Sequence, residues 1–365
     1  MNWQLLKPLG EWAKANTKLL IFCAVGLVIG WQVRGCLSPI VGDPDRGMGW
    51  IDDPKYVKDT VATFANPFFG DVAKNIVQGD ENKDAFVWKF YKEVTGQEWQ
   101  SHDQDGTGMC VGEGFSAALE LLQCVEIKVN GDQEEYKPIS AAAIYALSRE
   151  MNGMLGKGDG STGAAAAKAM LQFGCVSCED AKDDNTTGKE HAALAKKWGG
   201  RDGLPAELKA LAAKNKIKSA SMVRTPEECR VALANGYPIA ICSNVGFEPR
   251  GGFKRDGDGF VAMGGTWPHC MCIAGYRADK KAFLVIQSWG SNSPPGPKSL
   301  GQPDGSFWIT WDACQRIVRS GESYALSAFD GYPKRNIDNF IMAPAPKREY
   351  VKVRDLLRDT FTLAP

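Results

Sequence analysis

The sequence has no surplus of charge of either sign, because its 43 Lys and Arg residues balance 43 Asp and Glu residues. Proteins whose main function is to hold nucleic acid carry a clustered excess of basic residues. A disordered chain combines low hydrophobicity with high net charge, whereas 44% of these 365 residues are apolar. We therefore predict a folded protein without a nucleic-acid partner.

Cysteine pairs with metal-binding spacing are nearly absent. The eleven cysteines are odd in number and sparse for a chain of this length, which argues against a disulfide scaffold. Only Cys175 and Cys178 form a CxxC pair, and buried apolar side chains are favoured there over a zinc site. No glycine-rich segment matches a phosphate-binding loop. The sequence thus predicts no metal and no other cofactor.

The apolar run near the N-terminus is shorter than a typical membrane span. Residues 19–33 number fifteen, against about 17 to 20 for a spanning helix, although Lys18 and Arg34 could anchor its ends. We predict that residues 1–36 form a basic leader and an uncleaved membrane-anchor helix. A cleaved signal peptide and a buried helix are the alternatives. An anchor would place the remaining chain outside the cytoplasm; a cytoplasmic or virion-associated protein is the other reading.

Residues 37–98 are predicted to form a linker and then a helical extension. The linker is rich in Pro, Gly and Asp. Two sets of apolar residues then recur at helical spacing: Val57, Val61 and Phe64, followed by Phe86, Phe90 and Val94. These helices would be a pro-segment, a docking module or a layer packed on the main domain.

The middle of the chain has helical periodicity and the C-terminal part has strand patterns, which together indicate an α+β fold. The main domain is predicted at residues 99–329, with a tail at 330–365. Predicted helices span 110–124, 139–151, 162–173, 191–198 and 205–213, and a further helix opens on a capping box at 225–228. Predicted strands span 238–242, 270–276, 282–287 and 306–310.

Cys110 stands at the predicted start of a helix, behind a glycine-bearing loop. The dipole and free N–H groups of a helix N-terminus stabilise an anion, which favours a nucleophilic thiolate. The Cys110 N–H would face the oxygen of a carbonyl that the sulfur attacks, and Gln104 can offer a side-chain amide to the same oxygen. The alternative interpretation is a cysteine that only packs at a helix start.

His269 begins an apolar strand, and Gln287 ends the next one. A turn at residues 278–280 would join these strands antiparallel and bring Gln287 close to His269. A base held by a third group beside a thiol at a helix end is what nucleophilic thiol catalysis requires. The other two histidines are predicted to be structural, with His102 in a surface loop and His191 in a polar helix.

In sequence order these motifs resemble those of the papain-like cysteine peptidases, closest to their divergent bacterial and phage-type branch. The resemblance covers residues 99–329. It rests on the motifs Gln104-x5-Cys110, His269-x6-Gly275-Tyr276 and Gln287-Ser288-Trp289-Gly290. It implies a two-lobed fold, with the nucleophile helix in a helical lobe and an antiparallel sheet or barrel in the other lobe.

The resemblance also implies a function, the hydrolysis of peptide or isopeptide bonds through a thioester, with a peptide or protein as substrate. Cys110 would be the nucleophile, His269 its base and Gln287 the group that orients His269. Gln104 would donate to the oxyanion. The implied substrate-cleft residues are Gly158, Gly160 and Trp289. The sequence predicts no oligomeric state.

Three residues depart from the family pattern. Val111 replaces a tryptophan, Gln287 replaces an asparagine, and Thr107 replaces a disulfide cysteine. A catalytically degenerate binding or virion-structural protein is therefore one alternative. A transglutaminase-like or amidase-like acyl transferase, with Asp279 as an acidic third member, is another.

Overall fold

The computed structural model describes residues 48–76, 78–129, 131, 135–335 and 337. The predicted leader and anchor helix at residues 1–36 lie outside this part of the chain, as does most of the predicted tail. Across the described residues, no helix is both long and apolar enough to span a bilayer.

Helices form most of the first half of the described chain. Six of the described helices begin at a side-chain cap. At three of these caps, Ser140, Thr162 or Thr225 accepts the backbone N–H three positions further on. These caps explain why the helices begin close to their predicted starts. The helices are α1 (Pro54–Val61), α2 (Phe69–Val72), α3 (Lys89–Thr95), α4 (Cys110–Val129), α5 (Ala141–Met151), α6 (Gly163–Gln172), α7 (Cys178–Ala181), α8 (Lys189–Trp198), α9 (Ala206–Ala212), α10 (Pro226–Ala234) and α11 (Trp311–Ser320).

The described strands form one antiparallel sheet of seven strands. Its order is β2-β7-β3-β4-β5-β6, and β1 pairs with β4 outside this path. Antiparallel pairing lets short turns join neighbouring strands, as between β4 and β5. The strands are β1 (Ala85–Phe86), β2 (Ser219–Met222), β3 (Ile239–Val245), β4 (Thr266–Arg277), β5 (Ala282–Ile286), β6 (Ser306–Thr310) and β7 (Glu322–Ser327).

The predicted mixture of helices and antiparallel strands is confirmed. The β4–β5 hairpin pairs Cys272 with Ile286 and Arg277 with Ala282, so its turn falls at residues 278–281 as expected. The sequence did not reveal β2, β7 or α11. Strand β7 is buried at every position, which removes the alternation that would mark it.

The predicted helical face of Phe86, Phe90 and Val94 is wrong at its first residue. Phe86 lies in β1, where it pairs with Gly275 of β4, and α3 begins only at Lys89. The pairing of β1 with β4 requires a glycine at position 275, because a Cβ atom there would clash with the Trp88 ring at 2.2 Å. The aromatic residues Phe86 and Trp88 are thus buried against the sheet instead of forming one helix face.

Helix α4 packs directly on β4 and is buried along most of its length. Gly114 permits the close approach, since a Cβ atom at this position would lie 2.6 Å from the Cys270 sulfur. The first residue of α4, Cys110, is therefore brought to the strand that carries His269. This contact between helix and sheet positions the candidate site.

Candidate active site

Cys110 is the first residue of α4, as predicted, and its side chain is completely buried. Burial raises the pKa of its thiol well above the ordinary value. Hydrogen bonds from the backbone of Cys270 and Gly49 lower this pKa, but the effect of burial is larger. The sulfur therefore faces the backbone of the residue that directly follows His269 on β4.

Gly49 covers the Cys110 end of α4. It is wedged between two loops, because a Cβ atom at Gly49 would lie 1.9 Å from the Gly108 carbonyl oxygen. On its other side, a Cβ atom at Gly160 would come within 2.3 Å of the Gly49 carbonyl oxygen. Only glycine fits at either position, and the close packing explains why the sulfur is inaccessible.

Residues 48–51 cross the site as an extended segment. Ile51 N donates to Ser161 O at 2.8 Å, and Ser161 N donates to Gly49 O at 2.8 Å. Trp50 N donates to Pro268 O at 3.1 Å. A polypeptide therefore already lies between the loop at 158–161 and the start of β4, with Gly49 over the sulfur. The sequence suggested a pro-segment somewhere in residues 37–98 but not this placement.

His269 lies near the start of β4, opposite Ser243 of β3. Its ring stacks on Trp289, with ring centres 4.8 Å apart and planes at 29°. Trp289 also contacts Trp267 edge to face at 4.7 Å. His269 is 1% exposed, and the Trp289 ring covers one face of its imidazole. The substrate-cleft role predicted for Trp289 stays a prediction.

Gln287 directly follows β5, at the end of this strand that lies beside the start of β4. Continuing the β4–β5 register past Cys272 and Ile286 would set Gln287 opposite Met271, diagonal to His269. Its Nε2 donates to the carbonyl of Ser293. Its Oε1 is buried without a hydrogen-bond partner among the described residues. The predicted role of Gln287 in orienting the imidazole stays a prediction.

Gln104 is completely buried and tied to the loop after Gln287. Its Nε2 donates to Thr107 O at 2.6 Å, and its Oε1 accepts from the Ser288 hydroxyl at 2.6 Å. Its backbone N–H donates to Ser288 O at 3.0 Å. These bonds hold the loop before Cys110 against the segment that carries Gln287 and Trp289. The prediction that the Gln104 amide donates to the oxyanion stays a prediction.

The loop at residues 154–160 is held by Arg149, which is 1% exposed. Its guanidinium donates to four carbonyl oxygens of this loop, including Gly158 at 3.0 Å and Gly160 at 2.6 Å. Gly160 lies against the bound segment through Gly49. A Cβ atom at Gly158 would meet nothing within 4 Å. Of the two predicted cleft glycines, Gly160 is therefore the one that contacts the segment at residues 48–51.

Asp159, between these glycines, was not singled out from the sequence. Its carboxylate accepts from Gly108 N at 2.7 Å and from Gly160 N at 2.9 Å. It also accepts from the Tyr145 hydroxyl. Asp159 thus ties the cleft loop to the backbone two residues before Cys110, a link that only the folded chain reveals.

Comparison with known proteins supports one fold. No family model matches the sequence, and no curated protein matches it. Among solved structures, xylellain, a cysteine protease from Xylella fastidiosa, is similar with a TM-score of 0.52 and 16% identity over 78% of this chain and 97% of that one. Procathepsin B S9 from Trypanosoma congolense gives 0.51 and 11% identity over 80% and 89%. The chain has the papain-like fold.

Within this papain-like fold, Glu322 is an acidic residue that sequence reasoning missed. It begins β7 and is 1% exposed. Its carboxylate accepts from the indole N–H of Trp50, from Gly163 N and from Ala164 N, each at 2.7 Å. No local pattern could have found it, because 272 residues separate it from Trp50.

Asp279 does not join the site. It forms a two-point pair with Arg277, at 2.6 and 3.0 Å, in the turn at the far end of β4. Arg277 lowers the pKa of its carboxyl group. Eight residues of strand, roughly 26 Å, separate Arg277 from His269, so Asp279 does not support the acyl-transferase alternative.

The prediction that His102 lies on the surface is wrong. It is 5% exposed, stacks on Trp99, and places Nδ1 2.9 Å from Glu113 Oε2. Glu113 also contacts His191, whose other ring nitrogen lies 2.6 Å from Asp183. Burial lowers the pKa of His102, but Glu113 and Glu120 outweigh it and raise the pKa to about 10.

His102, Glu113, His191 and Asp183 form a buried ionic network. In His191 and Glu113, too, the charged partners shift the pKa more than burial does. Burial lowers the pKa of His191, while Glu113 and Asp183 raise it to about 9. Burial raises the pKa of Glu113, while the two histidines lower it to about 2. Both imidazoles are therefore protonated at neutral pH, and His269 is left as the catalytic candidate.

Proposed function

We propose that this protein is a cysteine peptidase with Cys110 as nucleophile and His269 as its acid and base. One observation carries the proposal: the Cys110 sulfur, at the N-terminus of α4, faces the backbone of Cys270, the residue after His269. The papain-like fold supports the same reaction class. A peptide segment lying between Ser161 and Pro268 supports a polypeptide as the substrate.

In this mechanism the imidazole takes the thiol proton, and the resulting thiolate attacks a peptide or isopeptide carbonyl. The Cys110 N–H and the Gln104 amide stabilise the oxyanion. His269 then gives its proton to the leaving amine, and a thioester forms. A water molecule, activated by His269, hydrolyses the thioester, and Gln287 holds the imidazole in place.

We further propose that residues 48–51 keep the full chain latent. Burial raises the pKa of Cys110, and a buried neutral thiol is a poor nucleophile. A substrate must displace this segment, because both would use Ser161 and the start of β4. Trp50→Ala removes the side chain that anchors the segment, so this full-length variant should be more active than the wild type.

The burial of the Cys110 sulfur also favours a second candidate, a noncatalytic binding protein that keeps the papain-like fold. The two candidates differ in one respect. A peptidase should react once the segment is loosened, whereas a binding protein should stay inert in the Trp50→Ala variant.

The experiment is cleavage of a peptide library by the full-length Trp50→Ala protein, with Cys110→Ala or Cys124→Ala added. Cys124 is the matched control, since it is also completely buried and also lies on α4. Cleavage should survive Cys124→Ala and vanish with Cys110→Ala. Equal cleavage by the two double variants, or none by Trp50→Ala itself, would end the proposal.

The membrane association predicted for residues 19–33, and the extracytoplasmic location that it implies, remain part of the proposal. Both concern residues outside the described part of the chain. Flotation of the full-length protein with liposomes, compared with a variant that carries two aspartates within residues 19–33, tests the association.

A further inference from the structure

A short strap, residues 102–104, pairs with the chain that follows β5. The backbone N–H of Gly290 donates to His102 O at 2.9 Å, and Gln104 N donates to Ser288 O at 3.0 Å. An antiparallel bridge lies between these two bonds. The strap therefore joins the proposed oxyanion donor, Gln104, to the backbone on either side of the tryptophan that covers the catalytic imidazole.

One side-chain contact ties this strap to α4, the helix that begins at Cys110. The ring of His102 places Nδ1 2.9 Å from Glu113 Oε2, and Glu113 lies in the first turn of α4. The other ring nitrogen, Nε2, lies 3.8 Å from Glu120 Oε2, which is beyond hydrogen-bond reach. The bond between His102 and Glu113 therefore links the strap to the nucleophile helix within one turn of the sulfur.

Both partners of this link are buried, and each is also held on its other side. Glu113 Oε1 lies 2.8 Å from His191 Nε2. The ring of His102 stacks on Trp99, with ring centres 5.2 Å apart and planes at 26°. Neither partner can turn away without leaving a buried charge unpaired, which is strongly unfavourable. The link is therefore rigid.

The space behind the link is almost filled. A cavity of about 10 Å³ lies between His102, Glu113 and the end of β5, with Gln287 in its wall. This volume is at the lower limit for a single water molecule. Because a close-packed interior transmits strain, a displaced His102 ring would push on the residues around the site instead of moving into free space.

We propose that His102 and Glu113 are positioning residues: their bond fixes the strap, and with it Gln104, relative to the nucleophile. The proposal rests on the proposed function and adds two residues to its site. A displacement of roughly 1 Å at a catalytic group can cost about a hundredfold in rate. Losing the link should therefore slow turnover far more than it weakens substrate binding.

The test compares two substitutions of His102 in the full-length Trp50→Ala protein. The amide nitrogen of asparagine is bonded to Cγ, as is Nδ1 of histidine, so His102→Asn can keep the bond to Glu113. His102→Leu cannot. We expect kcat to fall about a hundredfold in His102→Leu with little change in KM, and His102→Asn to recover most of the loss. Initial rates on a peptide that the Trp50→Ala protein cleaves measure both.

A matched control separates position from stability. Arg335 is the cationic partner of Glu126, a buried carboxylate near the other end of α4. Arg335→Leu removes that partner just as His102→Leu removes one partner of Glu113. It should lower the urea midpoint of unfolding and leave kcat unchanged. If His102→Leu fails to fold, His102→Gln replaces it, because glutamine carries its amide one carbon beyond the Nδ1 position.

The outcomes separate this inference from the peptidase proposal. An unchanged kcat in His102→Leu would overturn the positioning role and leave the peptidase intact. A loss in His102→Asn as large as that in His102→Leu, or an equal loss in Arg335→Leu, would also overturn it. Absence of cleavage by the Trp50→Ala protein itself would overturn both proposals.

Discussion

Gly108 donates its backbone N–H to Asp159 at 2.7 Å, joining the loop before the nucleophile to the loop that lines the cleft. The carboxylate that accepts this bond also accepts from Gly160 N and from the Tyr145 hydroxyl. One side chain therefore ties the loop before Cys110 to the loop at residues 158–161. Because these partners are largely buried, losing the carboxylate leaves several donors unsatisfied.

Asp159→Ala should lower the free energy of unfolding by about 1 to 3 kcal/mol, the cost of unsatisfied buried donors. It should also slow peptide cleavage in the Trp50→Ala background, because the loop before Cys110 loses its hydrogen bond to Asp159. Denaturant titration and initial rates measure the two effects. Asp184→Ala is the control, since Asp184 bonds only within an exposed turn; equal losses in both variants would contradict the tethering role.

Gly160→Ala should make Cys110 more reactive. An alanine Cβ would come within 2.3 Å of Gly49 O, so the covering segment must shift, whereas Gly158→Ala meets open space. Both residues have positive φ, +92° and +51°, so each substitution carries backbone strain of about 1 to 3 kcal/mol. Iodoacetamide should modify Cys110 faster in Gly160→Ala than in Gly158→Ala, and the same rate in both would show that Gly49 is not the cover.

The ionic network of His102, Glu113 and His191 should make stability fall at alkaline pH. The pKa values of both histidines are raised on folding, so their contribution is complete below the unfolded value of about 6.5. It is lost as pH rises through about 9 to 10. Urea unfolding at a series of pH values from 6 to 11 should show this decline.

His191→Gln should flatten that decline and cost about 3 to 5 kcal/mol at pH 7, because it leaves buried carboxylates without their partner. Glu98→Gln is the control. Glu98 pairs with Lys92 on the surface, where an ion pair contributes about 1 kcal/mol or less. If the free energy of unfolding falls as steeply with pH in His191→Gln as in the wild type, then groups other than this histidine cause the decline.

Gln287→Leu should reduce kcat about a hundredfold with little change in KM, since a shift of roughly 1 Å in a positioned base has an effect of that size. Gln287→Asn keeps an amide and should recover much of the loss. Gln302→Leu is the control: Gln302 is also a buried glutamine, bonded to Ser306 next to Gly305. If it slows turnover as much as Gln287→Leu, then Gln287 has no special role in catalysis.

Local sequence signals predicted the elements that bear the chemistry. The apolar stripe after Cys110 has helical spacing and predicted a helix. The two apolar runs on either side of residues 278–281 predicted a hairpin. The order of these motifs indicated the papain-like fold. What they could not specify was the environment of each side chain, because that depends on packing.

Two of the missed contacts join residues that are far apart in the sequence. Trp50 meets Glu322 only after the sheet has placed β7 beside α6, and Asp159 meets Gly108 across 51 residues. His102 looked like a loop residue because its partner Glu113 is polar and lies in the next helix. Pairings of this kind leave no periodicity in the sequence.

The most direct test of the account is the pH dependence of Cys110 alkylation by iodoacetamide. It should be measured in Trp50→Ala and in Trp50→Ala with His269→Ala, both full length. A thiol paired with an imidazole reacts as a thiolate well below its ordinary pKa of about 8.5. We predict rapid modification at pH 6 that His269→Ala shifts to above pH 8; identical profiles for the two proteins would contradict the pairing of Cys110 with His269.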